Sequence, residues 1–255
     1  MKVMDAITEI LKREGVSTMF CFPTTPIIES AAAAGIKPVI CRQERVGVHM
    51  ADGCARVMNG KPAGVFAMQY GPGAENAFAG IASAYSDSTP VLLLPLGHPR
   101  ETAHMWPLFN STRTYSSVTK SVEPVVMPEH IVAAMKRAFN ALKNGRSGPV
   151  MVEVPADVMT AEFRGQVDYT AVRRTRSSGD ARDIEDAAKH LIDARMPMII
   201  AGQGVLYAQA SDELVALAEL LDIPVMTTTD GKSGFPEDHA LALGSGGIVY
   251  TGHGR

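Results

Sequence analysis

Short apolar runs alternate along the chain with longer stretches of helical periodicity. The apolar runs predict five strands in the first part of the sequence, and these lie at residues 16–22, 38–41, 64–68, 91–96 and 149–154. The segments between them are long enough to form helices. Such an alternation is typical of a parallel sheet covered by helices. We therefore expect an α/β fold with a parallel sheet flanked by helices.

Helix signals fall between the predicted strands. The first fifteen residues carry apolar side chains at helical spacing with charged residues between them, which indicates an amphipathic helix and not a signal peptide. Thr25 before Pro26 is typical of an N-cap followed by proline at the first helical position. Further helices are predicted at residues 43–59, 73–86 and 128–144, and glycines end two of them.

The pattern changes after the fifth predicted strand. Residues 162–183 are polar, rich in arginine and without sustained periodicity, so they predict an interdomain linker. We place a first domain at 1–165, a linker at 166–183 and a second domain at 184–255.

The second domain shows one βαβ unit of a Rossmann-like pattern. Its elements are a helix at 184–194, strands at 198–201 and 223–227, a glycine turn at 202–204 and a helix at 211–221. So few parallel strands leave open apolar edges, which proteins avoid. We expect the domain to be partial, because the terminal residues Gly252 to Arg255 offer no closing element.

Composition excludes several function classes. Apolar residues make up 46% of the chain, charged residues 20%, and the formal net charge is -3, as in ordinary globular proteins. Basic residues are scattered, which argues against nucleic-acid binding. The three cysteines show no C-x-x-C spacing, so neither a disulfide framework nor a zinc site is indicated. The longest strongly apolar run, at 91–96, is too short to span a membrane. We expect a cytoplasmic protein without nucleic-acid or membrane partners.

Two segments carry residues suited to chemistry. Residues 41–57 read CRQERVGVHMADGCARV and place an acid, Glu44, where a buried strand meets a helix. A glutamate in the first turn of a helix also has a structural explanation, since it interacts favourably with the helix dipole. Residues 69–80 read QYGPGAENAFAG, a glycine-rich turn that would let backbone approach a ligand closely. Taken alone, such a turn is more often a plain strand-to-helix connection.

In this order, the two segments resemble those of the thiamine-diphosphate-dependent decarboxylase and acetolactate synthase family. That family carries C-R-H-E-x-x-A-x-x-x-A-x-G-Y-A-R followed by S-G-P-G-A-x-N. The likeness continues through DSTPV at 87–91, VTK at 118–120 and the segment 148–155. Residues 197–236 resemble the opening half of the family's central domain. The resemblance spans essentially the whole chain and implies the family's pyrimidine-binding domain followed by part of its central domain.

The resemblance implies a cofactor, thiamine diphosphate, whose aminopyrimidine ring lies on the first domain and is hydrogen-bonded by Glu44. A carboxyl group desolvated against that ring can share a proton with a ring nitrogen and so activate the cofactor toward a 2-keto acid. The implied activity is that of an acetolactate synthase-like carboligase or a decarboxylase. The other implied site residues are Pro23, Pro72 and Asn76 at the cofactor, and Phe109 and Asn110 at the reacting centre.

The family binds the cofactor's diphosphate through Mg²⁺ on a third domain, with a G-D-G pattern followed by paired asparagines. That pattern is absent from this sequence, in which residues 51–53 and 229–231 hold only an Asp-Gly pair. Family active sites also lie between subunits, which implies a homodimer or homotetramer. We therefore expect the chain to be part of a longer polypeptide and to contain no metal site itself.

Departures from the family pattern leave alternatives open. Cys21 to Thr24 stand where the family has G-x-P-G, and Asn110 replaces a glutamine. The chain could instead be the pyrimidine-domain subunit of a split decarboxylase, or a non-catalytic α/β module of the same fold. Some relatives hold flavin (FAD) on the central domain, but the lone G-x-G at 202–204 does not support it here.

Three further residues follow the fourth predicted strand, where parallel sheets place ligand contacts. They are His98, His104 and Trp106. A substrate role is one hypothesis for these residues. We prefer the alternative interpretation that they are solvated loop residues.

Overall fold

The computed structural model describes residues 1–246, and the chain divides into two compact units, Met1–Thr175 and Arg176–Arg255. The terminal residues Gly252 to Arg255, which we expected to offer no closing element, lie outside the described part. Each unit contains a parallel sheet with helices, so the predicted α/β fold is confirmed.

The first unit is built on a six-stranded sheet in which all pairings are parallel. Its strands are β1 (Thr18–Cys21), β2 (Lys37–Ile40), β3 (Gly64–Met68), β4 (Val91–Gly97), β5 (Ser121–Pro124) and β6 (Val150–Pro155). Their spatial order is β2-β1-β3-β4-β6-β5. Because the strands are parallel, the loops after β1, β2, β3, β4 and β6 all leave from the same edge of the sheet.

Seven helices cover this sheet within the described residues. They are α1 (Val3–Arg13), α2 (Ile27–Ala33), α3 (Glu44–Val57), α4 (Pro72–Ser86), α5 (Ser111–Tyr115), α6 (Ile131–Lys143) and α7 (Ala156–Met159). A 3-10 turn at Pro128–His130 precedes α6. The helices predicted from periodicity are all present, but α2 begins at Ile27 after Pro26 and has no side-chain cap in the described part of the chain, so the N-cap predicted at Thr25 is wrong. Two short helices, α5 and α7, were not predicted, because five or fewer residues carry too little periodicity.

The two faces of the sheet bury separate apolar cores. Alternate residues of β3 point to opposite faces, so that Val65 and Ala67 join the core formed with α1, α2 and α6. Phe66 and Met68 join the core formed with α3 and α4. All five residues of β3 are buried, which explains why this strand is a continuous apolar run rather than an alternating one.

Helices α3 and α4 approach each other closely at a glycine. A Cβ atom at Gly80 of α4 would lie 2.7 Å from Cγ1 of Val48 in α3. Small residues at this crossing allow the helix axes to come near. The close crossing brings the first turns of the two helices together at the carboxyl edge of the sheet.

The start of the predicted linker packs on the first unit. Tyr169 is buried and its hydroxyl donates to Glu14 Oε1, while Arg13 Nη1 donates to the carbonyl oxygens of Val167 and Tyr169 at 2.9 and 2.8 Å. The backbone N–H of Val172 also donates to Glu14 Oε1, at 2.8 Å. Such contacts depend on tertiary packing and leave no periodic signal. The domain boundaries at 165 and 183 stay predictions.

The second unit is smaller. Its described elements are α8 (Ala181–Asp193), β7 (Ile199–Ala201), α9 (Gln203–Ala208), α10 (Ser211–Leu221), β8 (Val225–Thr228) and β9 (Ala242–Gly246). The three strands pair in parallel in the order β7-β8-β9. The predicted βαβ unit is confirmed, whereas β9 was not predicted because two of its five residues are glycine. Over residues 1–246, none of the helices has the length and apolar character needed to cross a membrane.

Candidate active site

Glu44 is the first residue of α3 and follows the carboxyl end of β2. Its side chain is buried, with 5% of the residue exposed. The Nδ2 atom of Asn76, in α4, donates a hydrogen bond of 2.7 Å to Glu44 Oε2. The structure thus brings together two of the residues that the sequence had placed in one site.

The local backbone explains the position of Glu44. Gln43 is extended (φ -145°, ψ 139°) and serves as the N-cap, so that the chain turns from β2 directly into α3. The positive end of the helix dipole stabilises a carboxylate at this position. Burial, with a smaller contribution from Glu44, raises the pKa of the nearby Cys41 thiol. That thiol therefore stays protonated and is not a nucleophile at neutral pH.

The glycine-rich turn lies beside this carboxylate. Gly71 has a positive φ of 58°, which glycine adopts without strain. A Cβ atom at Gly73 would lie 3.3 Å from Glu44 Oε1 and 2.7 Å from Cγ of Gln69. Pro72, the first residue of α4, is exposed. Glycine at position 73 therefore lets the side chains of Gln69 and Glu44 pack directly against the backbone of the turn.

Tyr115 connects α5 to the first turn of α4. Its buried hydroxyl donates a hydrogen bond of 2.6 Å to the carbonyl oxygen of Ala74, in the first turn of α4. Its ring meets Phe78 edge-on, with centroids 5.5 Å apart. Because Ala74 and Phe78 flank Asn76 in α4, the turn of helix that carries Asn76 is fixed in place.

A second, partly buried acid lies at the same edge of the sheet. Glu153 of β6 accepts a hydrogen bond from Ser111 Oγ, at the start of α5. A Cβ atom at Gly97 would lie 3.2 Å from Glu153 Oε1. Burial raises the pKa of Glu153 to about 7. We did not single this residue out from the sequence, although an acid inside the apolar run of β6 was an available signal.

The raised pKa of Glu153 predicts a pH-dependent stability. The folded state binds this proton more tightly than the unfolded chain, so the stabilisation is complete below the ordinary pKa of 4.5 and is lost as pH rises through about 7. The loss should amount to about 3 kcal/mol. Urea unfolding of the wild type should give a lower free energy of unfolding near pH 8 than near pH 5, and Glu153→Gln should not show this difference. Parallel pH curves for the two proteins would contradict the prediction.

The remaining predicted site residues have other surroundings. Pro23 is exposed in the loop after β1, and Phe109 packs, partly buried, against the core under α3 and α4. Asn110 is the N-cap of α5, because its Oδ1 accepts hydrogen bonds of 2.9 Å from the Arg113 N–H and from Thr112 Oγ1. This cap is a structural role that the sequence analysis did not foresee. Roles for these three residues at the cofactor or substrate stay predictions.

One of the three residues in the loop after β4 is less exposed than the sequence analysis expected. His98 is half-buried, and its ring packs against that of Tyr70 with centroids 4.7 Å apart. His104 and Trp106 are exposed, and Trp106 is 91% exposed. The interpretation is therefore wrong for His98 and right for the other two. For metals, residues 1–246 contain no cluster of three or more His, Cys, Asp or Glu side chains suited to an ion.

Residues 1–119, which include Glu44, the glycine turn and Asn76, match the family model described as thiamine pyrophosphate enzyme, N-terminal TPP binding domain. Residues 184–255 match the model described as thiamine pyrophosphate enzyme, central domain. The chain belongs to the thiamine pyrophosphate enzyme family. In this family member, the matched N-terminal region contains the hydrogen-bonded pair of Glu44 and Asn76 described above.

Curated relatives of this thiamine pyrophosphate enzyme chain include several activities. A Methanocaldococcus jannaschii protein assigned as an acetolactate synthase large subunit is 35% identical over 98% of this chain and 44% of its own length. A glyoxylate carboligase of Escherichia coli O157:H7 is 31% identical over 99% of this chain and 44% of its own. A Pseudomonas aeruginosa protein assigned as a 2-ketoarginine decarboxylase is 32% identical over 97% and 45%. The chain thus spans less than half the length of each of these relatives.

A solved structure also matches. It is the X-ray structure of an enzyme from Mycobacterium smegmatis assigned as thiamin diphosphate-dependent, with a TM-score of 0.84 and 26% identity. The match covers 96% of this chain and 48% of that one. It supports the fold described above and agrees with the family membership.

Proposed function

We propose that the chain forms the N-terminal portion of an enzyme that uses thiamine diphosphate to act on a 2-keto acid, as an acetolactate synthase-like carboligase or a decarboxylase. The observation that carries the proposal is the buried carboxylate of Glu44, held by Asn76 beside the glycine-rich turn at Gly73. The relatives with carboligase and decarboxylase names support the choice of substrate class.

The residues present fit the aminopyrimidine of thiamine diphosphate. A ring that approaches the acid needs room beside it, and a side chain at Gly73 would crowd both Glu44 Oε1 and the side chain of Gln69. A protonated ring nitrogen needs a carboxylate partner, and Glu44 supplies one away from water. Pro23, Pro72 and Asn76 would complete the cofactor contacts. When bound, the cofactor supplies the electron sink for cleaving the bond beside a keto group.

Two side chains would handle one proton: Asn76 would orient the carboxylate of Glu44, and Glu44 would exchange the proton with the cofactor ring. Asn76 donates to Oε2 of Glu44 and so orients the carboxylate. Oε1 then faces the turn at Gly73, where Glu44 would hold a proton and release it to a ring nitrogen. Burial excludes water, which would otherwise compete for that proton. Phe109 and Asn110 would lie on the substrate side.

The proposal extends to partners. Mg²⁺ would bind the cofactor's diphosphate through residues outside this chain's matched domains. A homo-oligomer would complete the site, and exposed apolar side chains on α3 support a contact with a second copy, since Val46 is 48% and Val57 83% exposed. A cytoplasmic location stays a prediction.

Two alternatives are the subunit of a split decarboxylase and a non-catalytic α/β module. Titration of the full-length protein with thiamine diphosphate and Mg²⁺, followed by calorimetry, distinguishes the module from the catalytic assignments. Saturable binding, together with cofactor-dependent CO₂ release from pyruvate, glyoxylate or 2-ketoarginine, is the expected result. Absence of cofactor binding to the assembled protein would contradict the proposed function and favour the module.

A further inference from the structure

His98 lies where parallel α/β sheets bind ligands. It follows β4 directly, and Tyr70 follows β3 after one residue. The two strands are neighbours, with Met68 of β3 paired to Pro95 of β4. The two side chains therefore leave the same carboxyl edge of the sheet side by side, which is the usual ligand-binding position in such sheets.

The imidazole of His98 is held by the glycine-rich turn. Its ring meets that of Tyr70 at a centroid distance of 4.7 Å and an interplanar angle of 43°. A Cβ atom at Gly71 would lie 3.8 Å from Cε1 of His98, so the backbone of the turn also runs along the ring. The imidazole thus has a defined orientation rather than that of a free surface histidine.

One nitrogen of this ring lacks a hydrogen-bond partner among the described residues. Nε2 of His98 is buried and has no hydrogen-bond partner among residues 1–246. Buried polar atoms in native proteins are nearly always hydrogen-bonded, because leaving one unpaired is costly. An unpaired nitrogen at the ligand-binding edge of a sheet therefore indicates a partner that is not part of the described chain.

The same turn also borders the proposed catalytic acid. Gly73, two residues after Gly71, lies against Oε1 of Glu44, while Gly71 lies against His98. One short segment of backbone consequently runs between the acid and the imidazole. A small molecule that reacts next to Glu44 and extends along this turn would meet Nε2 of His98 at the end of β4.

We propose that His98 is a substrate-binding residue, whose Nε2 donates a hydrogen bond to an oxygen of the 2-keto acid, and that Tyr70 is the residue that positions its imidazole. The choice of ligand rests on the proposed function. A 2-keto acid carries adjacent carboxylate and keto oxygens, which are acceptors only, and an imidazole N–H is a matching donor. The ring of Tyr70, which is 38% exposed, contacts the imidazole and would hold it in place when the substrate binds.

Two amide variants of His98 test the proposal in the full-length protein loaded with thiamine diphosphate and Mg²⁺. The side-chain nitrogen of glutamine can occupy the place of Nε2, and that of asparagine the place of Nδ1. For the 2-keto acid that the wild type turns over, His98→Asn should raise KM roughly tenfold or more, as expected for a lost hydrogen bond to a charged group. His98→Gln should stay within about threefold of wild type. Cofactor affinity should be unchanged in both.

Tyr70 variants test the positioning role. Tyr70→Phe keeps the ring contact and should retain the wild-type KM, whereas Tyr70→Ala should raise KM without changing cofactor affinity or the melting temperature. A purely structural role would change the melting temperature together with KM.

A binding measurement makes the test independent of turnover. In the loaded protein labelled with ¹⁵N-histidine, oxamate, an unreactive isostere of pyruvate, should shift the Nε2 resonance of His98, which is assigned by its loss in His98→Gln. An unchanged Nε2 resonance at saturating oxamate, or equal KM values in the asparagine and glutamine variants, would overturn the inference. Those results leave the proposed function standing, whereas failure of the wild type to bind thiamine diphosphate contradicts the proposed function itself.

Discussion

Replacing Glu44 by glutamine should lower kcat for 2-keto acid cleavage by about 100-fold or more, the range lost when a positioned proton-transfer group is removed. The amide cannot take up and release the proton that the proposed role requires. It can still accept the hydrogen bond that Asn76 Nδ2 donates to Oε2 in the wild type. The fold should therefore persist, and the melting temperature should stay close to that of the wild type.

The control for Glu44 is a neighbouring acid. Glu75 lies in the first turn of α4, next in sequence to Asn76, and is exposed. Glu75→Gln makes the same chemical change without touching the buried site, so its kcat should match the wild type. Steady-state CO₂ release in the presence of saturating thiamine diphosphate and Mg²⁺ measures both. Unchanged turnover in Glu44→Gln would refute the role of this residue.

Replacing Gly64 by alanine should destabilise the first unit by about 3 kcal/mol or more, because overpacking a core forces the backbone to move. A Cβ atom at Gly64 would lie 2.1 Å from the carbonyl oxygen of Ala51 and 2.7 Å from its carbonyl carbon. Both atoms belong to the backbone of α3, which cannot rotate away as a side chain could. The helix that carries Glu44 must shift from β3, so activity should also fall.

A glycine on α3 itself provides the matched control. Gly53 has no atom within 4 Å of where its Cβ would lie. Since alanine is the better helix former, Gly53→Ala should stabilise the protein by up to about 1 kcal/mol. Urea unfolding followed by circular dichroism should thus show midpoints displaced in opposite directions. Equal midpoints for the two variants would show that the contact at Gly64 does not constrain α3.

Long elements with strong patterns could be predicted from the sequence. The run at 64–68 was predicted with its observed bounds, and that at 91–96 ended one residue short, because central parallel strands are apolar throughout. The strand β5 was missed, since Ser121–Pro124 is short, only half apolar and at the edge of the sheet. Its pairing with β6 is a tertiary contact that local periodicity does not encode.

For the candidate site, too, the residues could be predicted from the sequence but their contacts could not. Glu44 and Asn76 could be selected from the spacing of two motifs, yet their hydrogen bond depends on the crossing of α3 and α4 at Gly80. The capping role of Asn110 depends on α5, which was too short to predict.

The sequence by itself therefore determined the alternation of strands and helices, the family and the two segments that carry Glu44 and Asn76. Strands and helices can be predicted from the sequence because their buried side chains repeat with a fixed local period. Only the tertiary structure decided that Ser111 meets Glu153 and that the ring of Tyr70 contacts that of His98. These partners lie on different elements and loops, and they meet because parallel connections return distant segments of the chain to one edge of the sheet.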